Sequence, residues 1–280
     1  SLPLSKESIS TKNITTVILI LLLTIRIVFY IIMHIFINNG QLETELSHEL
    51  SRFFTSIMLL LGSYYVLHSK NNEPLFKGRY PFGFQVVAIL ILFFDSLSLS
   101  LFNILAALLL LGNLLLIGIH LIKKGIKIEK YSFWDFFVGT VIPLVYIFVF
   151  LIPMTTPDFS EFNWNERLFS SGLPVSYWIR LFLYYFAYAA VLEEMIFRYV
   201  LLIELGKKNV DLRWVVVIQS VLFACAHIGK IGIVGLINAS VFSIVIGIMT
   251  LIGKKLKPAI ISHTVYDFVL SMLNALAVLQ

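Results

Sequence analysis

Three short runs hold most of the reactive side chains in the C-terminal part of this chain: EEMIFR at 193–198, FACAH at 223–227 and HTVYD at 263–267. Glu194 and Arg198 are four apart, so on a helix they share one face and can form an internal ion pair. Glu193 is turned about 100° from Glu194 and is not obliged to join that pair. One carboxylate is therefore neutralised by the arginine and the other stays available. Phe223 and His227 also lie one turn apart, as do His263 and Asp267. A carboxylate and two histidines converging between helices can supply a general base, a proton shuttle and a donor to an oxyanion.

Each feature also has a structural reading: a stabilising Glu–Arg pair, a histidine at a span end, an i,i+4 His–Asp pair. What favours chemistry is their surroundings. The run YYFAYAAVLEEMIFRYVLL has the hydrophobicity of a membrane helix, where each charged side chain at the bilayer centre costs roughly 2.5–3.5 kcal/mol on insertion scales. Such groups pair, line a watery cavity or react. Cys225 stands two residues from His227, roughly 160° away around a helix, and reads as a buried, inert thiol. The HExxH spacing of helical zinc sites is absent, and a metal site would need three separate helices to converge. No metal or cofactor is expected.

Of 280 residues, 59% are hydrophobic and 13% charged, about half the roughly 25% charged content of a soluble domain. The single cysteine rules out an intramolecular disulfide and a thiolate metal cluster. The net charge of +5 reports loop topology rather than a nucleic-acid partner. Apolar runs predict an all-α polytopic bundle of eight or nine spans, at about 15–38, 53–68, 82–97, 100–122, 133–153, 177–204, 214–229, 232–252 and 257–279. The first run is too long for a signal peptide, and no A-x-A-like site follows it. The third and fourth spans meet at the SLSLS stretch, 96–100.

Loop charges alternate. Lys6 and Lys12 precede the first span; Glu43, Glu45 and Glu49 follow it. Basic groups recur at Lys70, Lys77, Arg79, at Lys123, Lys124, Lys127, Lys130, at Lys207, Lys208 and at Lys254, Lys255, Lys257. Asp158, Glu161 and Glu166 lie on the other side, and only Lys230 breaks the pattern. The alternation predicts a cytoplasmic N-terminus. Residues 1–130 form an N-terminal transmembrane extension of about four spans, and residues 131–280 a core with the motifs at about 178–277. In the extension, His34 snorkels near a span end, while Arg26 and Asp95 sit deeper, as packing partners or as lining of the same cavity.

In order and spacing, the three runs resemble the EExxxR, FxxxH and HxxxN/D motifs of the CPBP family, the CAAX protease and bacteriocin-processing intramembrane proteins related to the Ras-converting enzyme. The resemblance implies a metal-independent glutamic endopeptidase. Glu193 would act as general base on a water held with help from His227, with His263 and Asp267 stabilising the oxyanion. Glu194, Arg198 and Phe223 would support them. Asp267 stands where the Ras-converting members carry Asn, and is expected to orient His263 as an imidazolium donor. On straight helices His227 lies roughly 10 Å from the depth of Glu193, a gap that helix tilt, a different span boundary or a seventh span ending inside the membrane at Gly229 would close.

The expected function is intramembrane proteolysis of a membrane-associated peptide or protein in a bacterial plasma membrane. The alternative is a non-proteolytic scaffold, bacteriocin-immunity or regulatory protein of the same family. Partners are the lipid bilayer, the substrate, and a sensor kinase or peptide exporter. A proton-coupled transporter is disfavoured, because neither internal repeats nor paired interrupted spans are visible.

Overall fold

The computed structural model describes residues 14, 17, 18, 20–29, 44–68, 80–124, 132–152, 174–207, 210–227 and 233–275, and every regular element among them is helical. In chain order these are α1 (Ile20–Phe29), α2 (Thr44–His68), α3 (Phe82–Asp95), α4 (Leu101–Lys124), α5 (Phe133–Leu151), α6 (175–207), α7 (Leu212–Cys225), α8 (Ile233–Gly253) and α9 (Lys257–Ala275). The all-α expectation holds.

Among the described residues, five stretches are long and apolar enough to cross a membrane: Glu45–His68, Leu101–Lys123, Phe133–Leu151, Val175–Val200 and Gly235–Gly253. The expected spans at 82–97 and 214–229 are instead helices of 14 residues each. At 1.5 Å per residue they reach about 21 Å, short of the roughly 30 Å hydrocarbon layer. Among the described residues, length and composition thus support five full spans, and the count of eight or nine is not confirmed. His34, Gly229, Lys230 and most of the loop charges used for orientation (Lys6, Lys12, Glu43, Lys70, Lys77, Arg79, Lys127, Lys130, Asp158, Glu161, Glu166, Lys208) lie outside the described residues.

Helix boundaries follow local chemistry. Pro81 and Pro174 precede α3 and α6, and Asp211 caps α7 by accepting from the Arg213 amide at 2.8 Å, satisfying a donor that the first helical turn leaves over. The α3–α4 turn is a real break: Ser96 Oγ donates to Leu92 O at 2.7 Å, and Asn103 Nδ2 donates to Ser98 Oγ. In α5, Pro143 removes one backbone donor, and the helix widens into a π turn over Tyr146–Leu151.

Two apolar clusters hold the bundle. The larger joins Leu22 of α1, Met58 and Leu59 of α2, Ile89 and Leu92 of α3, Leu110 and Ile117 of α4, and Leu192, Met195 and Phe197 of α6. The smaller joins Ile147 of α5, Phe242 and Ile246 of α8, and Ala259, Tyr266 and Leu273 of α9. Helix α6 thus packs against the N-terminal helices, and Glu193 and Glu194 on it also meet His263 of α9.

Close approach of α5 to α9 depends on Gly139. A Cβ there would lie 2.7 Å from Ile261 Cβ and 3.0 Å from Pro258 O. Ser262 Oγ also donates to Gly139 O at 2.9 Å. Small residues at such crossings are how membrane helices gain van der Waals contact. Gly139→Ala is expected to destabilise the protein by about 1–3 kcal/mol through overpacking, read as a lower thermal midpoint in detergent.

Candidate functional site

The carboxylates sit where α6 changes winding. Two π-helical stretches, Tyr185–Ala190 and Met195–Val200, enclose a single α turn, Val191–Glu194. Such widened turns occur often at functional sites. They leave Glu193 and Glu194 buried, together with Arg198 and His263.

Glu194 Oε1 accepts from Arg198 Nη1 at 2.8 Å, as the i,i+4 spacing predicts. The same oxygen lies 2.7 Å from His263 Nδ1, a contact between α6 and α9. Arg198 also donates through Nη2 to Ser243 Oγ of α8 at 2.8 Å, and its guanidinium covers the Phe223 ring at 4.6 Å. Phe223 in turn meets Phe197, His227 and His263 edge-on or tilted, with centroids 5.2, 4.6 and 5.7 Å away. Arg198 and Phe223 together fix the relative placement of α6, α7, α8 and α9.

Glu193 is not left unengaged, contrary to the same-helix reading. Its Oε1 is ion-paired with Arg26 of α1. Spacing along α6 carries no information about a partner 167 positions away. The second oxygen, Oε2, lies 3.8 Å from His227 Nε2 and 3.6 Å from His263 Nε2. His263 Nε2 is also 3.4 Å from Asp267 Oδ2. Glu193, His227, His263 and Asp267 therefore stand around one point.

The expected depth gap is absent. Helix α7 ends at Cys225, and Ala226 and His227 form a turn beyond it, with the His227 amide bonded to Ala224 O at 2.9 Å. A short helix thus delivers His227 to the level of Glu193. Cys225 is half-buried rather than buried.

Hydrogen bonding constrains the imidazoles. His227 Nδ1 is 2.8 Å from Phe223 O; a carbonyl only accepts, so Nδ1 carries a proton. A neutral His227 then turns an acceptor, Nε2, toward the Glu193 carboxylate. Two acceptors 3.8 Å apart are reconciled by a donor that serves both, such as water, since each bond needs about 2.8 Å. His263 has a carboxylate beside each nitrogen: Glu194 at Nδ1, Glu193 and Asp267 at Nε2. An imidazolium there would balance three carboxylates against two arginines and itself, the neutrality that a buried cluster requires. Among the described residues no three His, Cys, Asp or Glu side chains are arranged to hold a metal ion.

The pocket is not sealed on all sides. The Asp267 side chain is 24% exposed and that of His227 13%, against 2% for Glu193, so the approach to the buried carboxylate runs past these two. Nearby, Tyr146 OH donates to Asn238 Oδ1 at 2.6 Å, and Asn238 Nδ2 donates to Tyr266 OH, beside Asp267. Sequence reasoning missed this trio, Ser243 and the role of Phe242, which stacks on Tyr266 at 3.6 Å. Apart from Tyr266, which lies inside the HTVYD run, none belongs to a charged motif. Asp95 does not meet Arg26; it takes Arg52 Nε at 2.8 Å and Tyr188 OH at 2.6 Å.

Residues 175–269 match the family described as type II CAAX prenyl endopeptidase Rce1-like. The match starts with α6, includes Glu193, Glu194, Arg198, Phe223, His227, His263 and Asp267, and leaves out Arg26. No curated protein and no solved structure matches the chain. Residues 175–269 are thus similar to the Rce1-like family, and with five helices among the described residues long and apolar enough to cross a bilayer the chain is an integral membrane protein.

Proposed function

We propose that this protein is an intramembrane endopeptidase in which Glu193 activates a water for attack on a peptide bond of a membrane-associated peptide or protein. The observation that carries the reading is the position of Glu193 Oε2, 3.8 Å from His227 Nε2 and 3.6 Å from His263 Nε2. A water at hydrogen-bond distance from Oε2 and His227 gives its proton to the carboxylate as its oxygen bonds to the substrate carbonyl carbon. The oxyanion that forms accepts a hydrogen bond from His263 Nε2, with Asp267 holding the imidazolium in place. Collapse breaks the C–N bond, and the proton held by Glu193 passes to the leaving amine. Glu194 and Arg198 take no proton and fix α6 against α8 and α9.

Support for the protease class comes from the Rce1-like segment. A prenylated CAAX-type peptide is therefore one substrate to try, alongside unprenylated apolar peptides such as leader or pheromone-like precursors. The alternating loop charges support a cytoplasmic N-terminus. The test is cleavage of internally quenched peptides of both kinds by the purified protein in liposomes, wild type against Glu193→Gln. Equal rates would refute the reading.

The arginine beside Glu193 also argues against a bound divalent cation, because Arg26 would repel it at close range. Cleavage is expected to be unchanged by o-phenanthroline or EDTA. Loss of activity with chelator, restored by zinc, would overturn metal independence.

A non-proteolytic scaffold or immunity protein has one observation on its side: Glu193 is buried and already ion-paired. Rescue of a deletion phenotype by Glu193→Gln as fully as by wild type would favour it.

A further inference from the structure

We propose that Arg26 is a positioning residue for Glu193, so that α1, which lies outside the Rce1-like segment, completes the reaction site. The inference rests on the proteolytic reading for its consequence, though not for the pairing itself. Arg26 engages Glu193 Oε1, and the other oxygen is then the one presented to His227 and His263. A carboxylate on a flexible three-carbon side chain rotates about its last bond; a guanidinium fixed on one oxygen removes that rotation. Arginine suits the task better than lysine because its planar fork is pre-organised and its charge is permanent.

The sequence of α1 shows that packing alone does not ask for a cation there. Ile18, Leu22, Arg26 and Phe29 follow one another at helical spacing and are all buried, and the three apolar members belong to or line the core. A leucine at 26 would continue that stripe. A guanidinium 3% exposed in so apolar a helix is instead costly, and among the described residues it meets the carboxylate that faces both histidines.

A second contact keys the N-terminal helices to the same stretch of α6. Asp95, at the end of α3, holds Arg52 of α2 and Tyr188 of α6, five residues before Glu193. Among the described residues, the charged and titratable groups around Glu193 include Arg26 from α1, His227 after α7, His263 and Asp267 from α9, and Glu194 and Arg198 on α6, with Arg52 and Asp95 beyond Tyr188. Residues 1–130 are then neither bulk nor a separate module: they supply the group that aims the base.

Four variants of the chain test this. In the quenched-peptide assay, Arg26→Gln is expected to lower kcat about 100-fold, the loss that a small misplacement of a reacting group produces, with KM within about twofold. Arg26→Lys should recover roughly tenfold of it, because it restores charge without the fork. Unchanged kcat in Arg26→Gln overturns the positioning role. Independently of any substrate, the side-chain nitrogen resonances of His227 and His263 in labelled protein should shift in Arg26→Gln and return toward wild type in Arg26→Lys; unshifted resonances count against it. Should Arg26→Gln fold poorly, the double variant Arg26→Gln/Glu193→Gln is expected to melt above it, and strictly additive melting shifts would refute the pairing. Retained cleavage in Glu193→Gln alone would sink the proposed reaction while leaving the pairing to the melting and resonance measurements.

Discussion

Replacing Glu193 by glutamine is expected to reduce cleavage by about 10²–10⁴-fold, the range a positioned general base contributes. The substitution keeps shape and volume, and the amide oxygen can still accept from Arg26. What is lost is the capacity of Oε2 to take a proton from water between the two imidazoles. His227 is not a substitute: its Nδ1 is committed to Phe223 O at 2.8 Å. Glu194 is not a substitute either, because its Oε1 serves both Arg198 and His263. A fall in rate alone is ambiguous, since neutralising one member of a buried pair leaves Arg26 without its counter-charge. The decisive comparison therefore takes Glu193→Gln protein that elutes as a single species and melts as one transition. Wild-type turnover by such protein would end the case for Glu193 as base.

The pairs that lie on one helix were legible in the sequence. Spacing of four placed Arg198 on Glu194 at 2.8 Å and brought His263 Nε2 within 3.4 Å of Asp267. Phe223 and His227 also stay close, their rings 4.6 Å apart, although His227 lies in the turn beyond α7. The order of the three motifs along the chain was enough to recognise an Rce1-like segment, which the match over 175–269 shares. Relations between helices were not legible. His263 Nδ1 against Glu194 depends on how close α9 comes to α6, and that distance is set by contacts such as Gly139 on Ile261. Arg26 was visible as a costly charge, yet no local pattern connects it to Glu193.

Helix lengths were misread for a related reason. Hydropathy registers the apolar run and not where hydrogen bonding stops. The stretch up to Gly229 reads as one span, whereas α7 closes at Cys225 with Ala226 already in a turn (φ −66°, ψ −12°). The first glycine signal for a helix end comes later than the end itself. The π turns on both sides of Glu193 and Glu194 carry no sequence signature of this kind. They change which residues share a face, and so the one-turn arithmetic held for Glu194 and Arg198 while missing what surrounds Glu193.

Arg198→Leu is expected to destabilise the protein by about 3–5 kcal/mol, the cost of leaving one member of a buried ion pair behind. Both side chains are fully buried, and the guanidinium meets three groups at once: Glu194 Oε1 and Ser243 Oγ at 2.8 Å each, and the Phe223 ring at 4.6 Å. Leucine fills part of the volume and satisfies none of them. The Glu194 carboxylate would keep only His263, which is also needed on its other side by Asp267 and Glu193. The source of the loss can be isolated with Arg198→Leu/Glu194→Gln, in which the stranded charge is removed. Replacing a whole buried pair by less polar groups is often close to neutral, so the double variant should recover most of the stability. Its activity should stay low, because His263 then has no carboxylate at Nδ1 to hold its orientation. The measurement is reversible unfolding in mixed micelles, with thermal midpoints as a second readout. An Arg198→Leu protein within about 1 kcal/mol of wild type would mean that water or lipid headgroups reach this position, and the buried charge balance of the site would have to be abandoned.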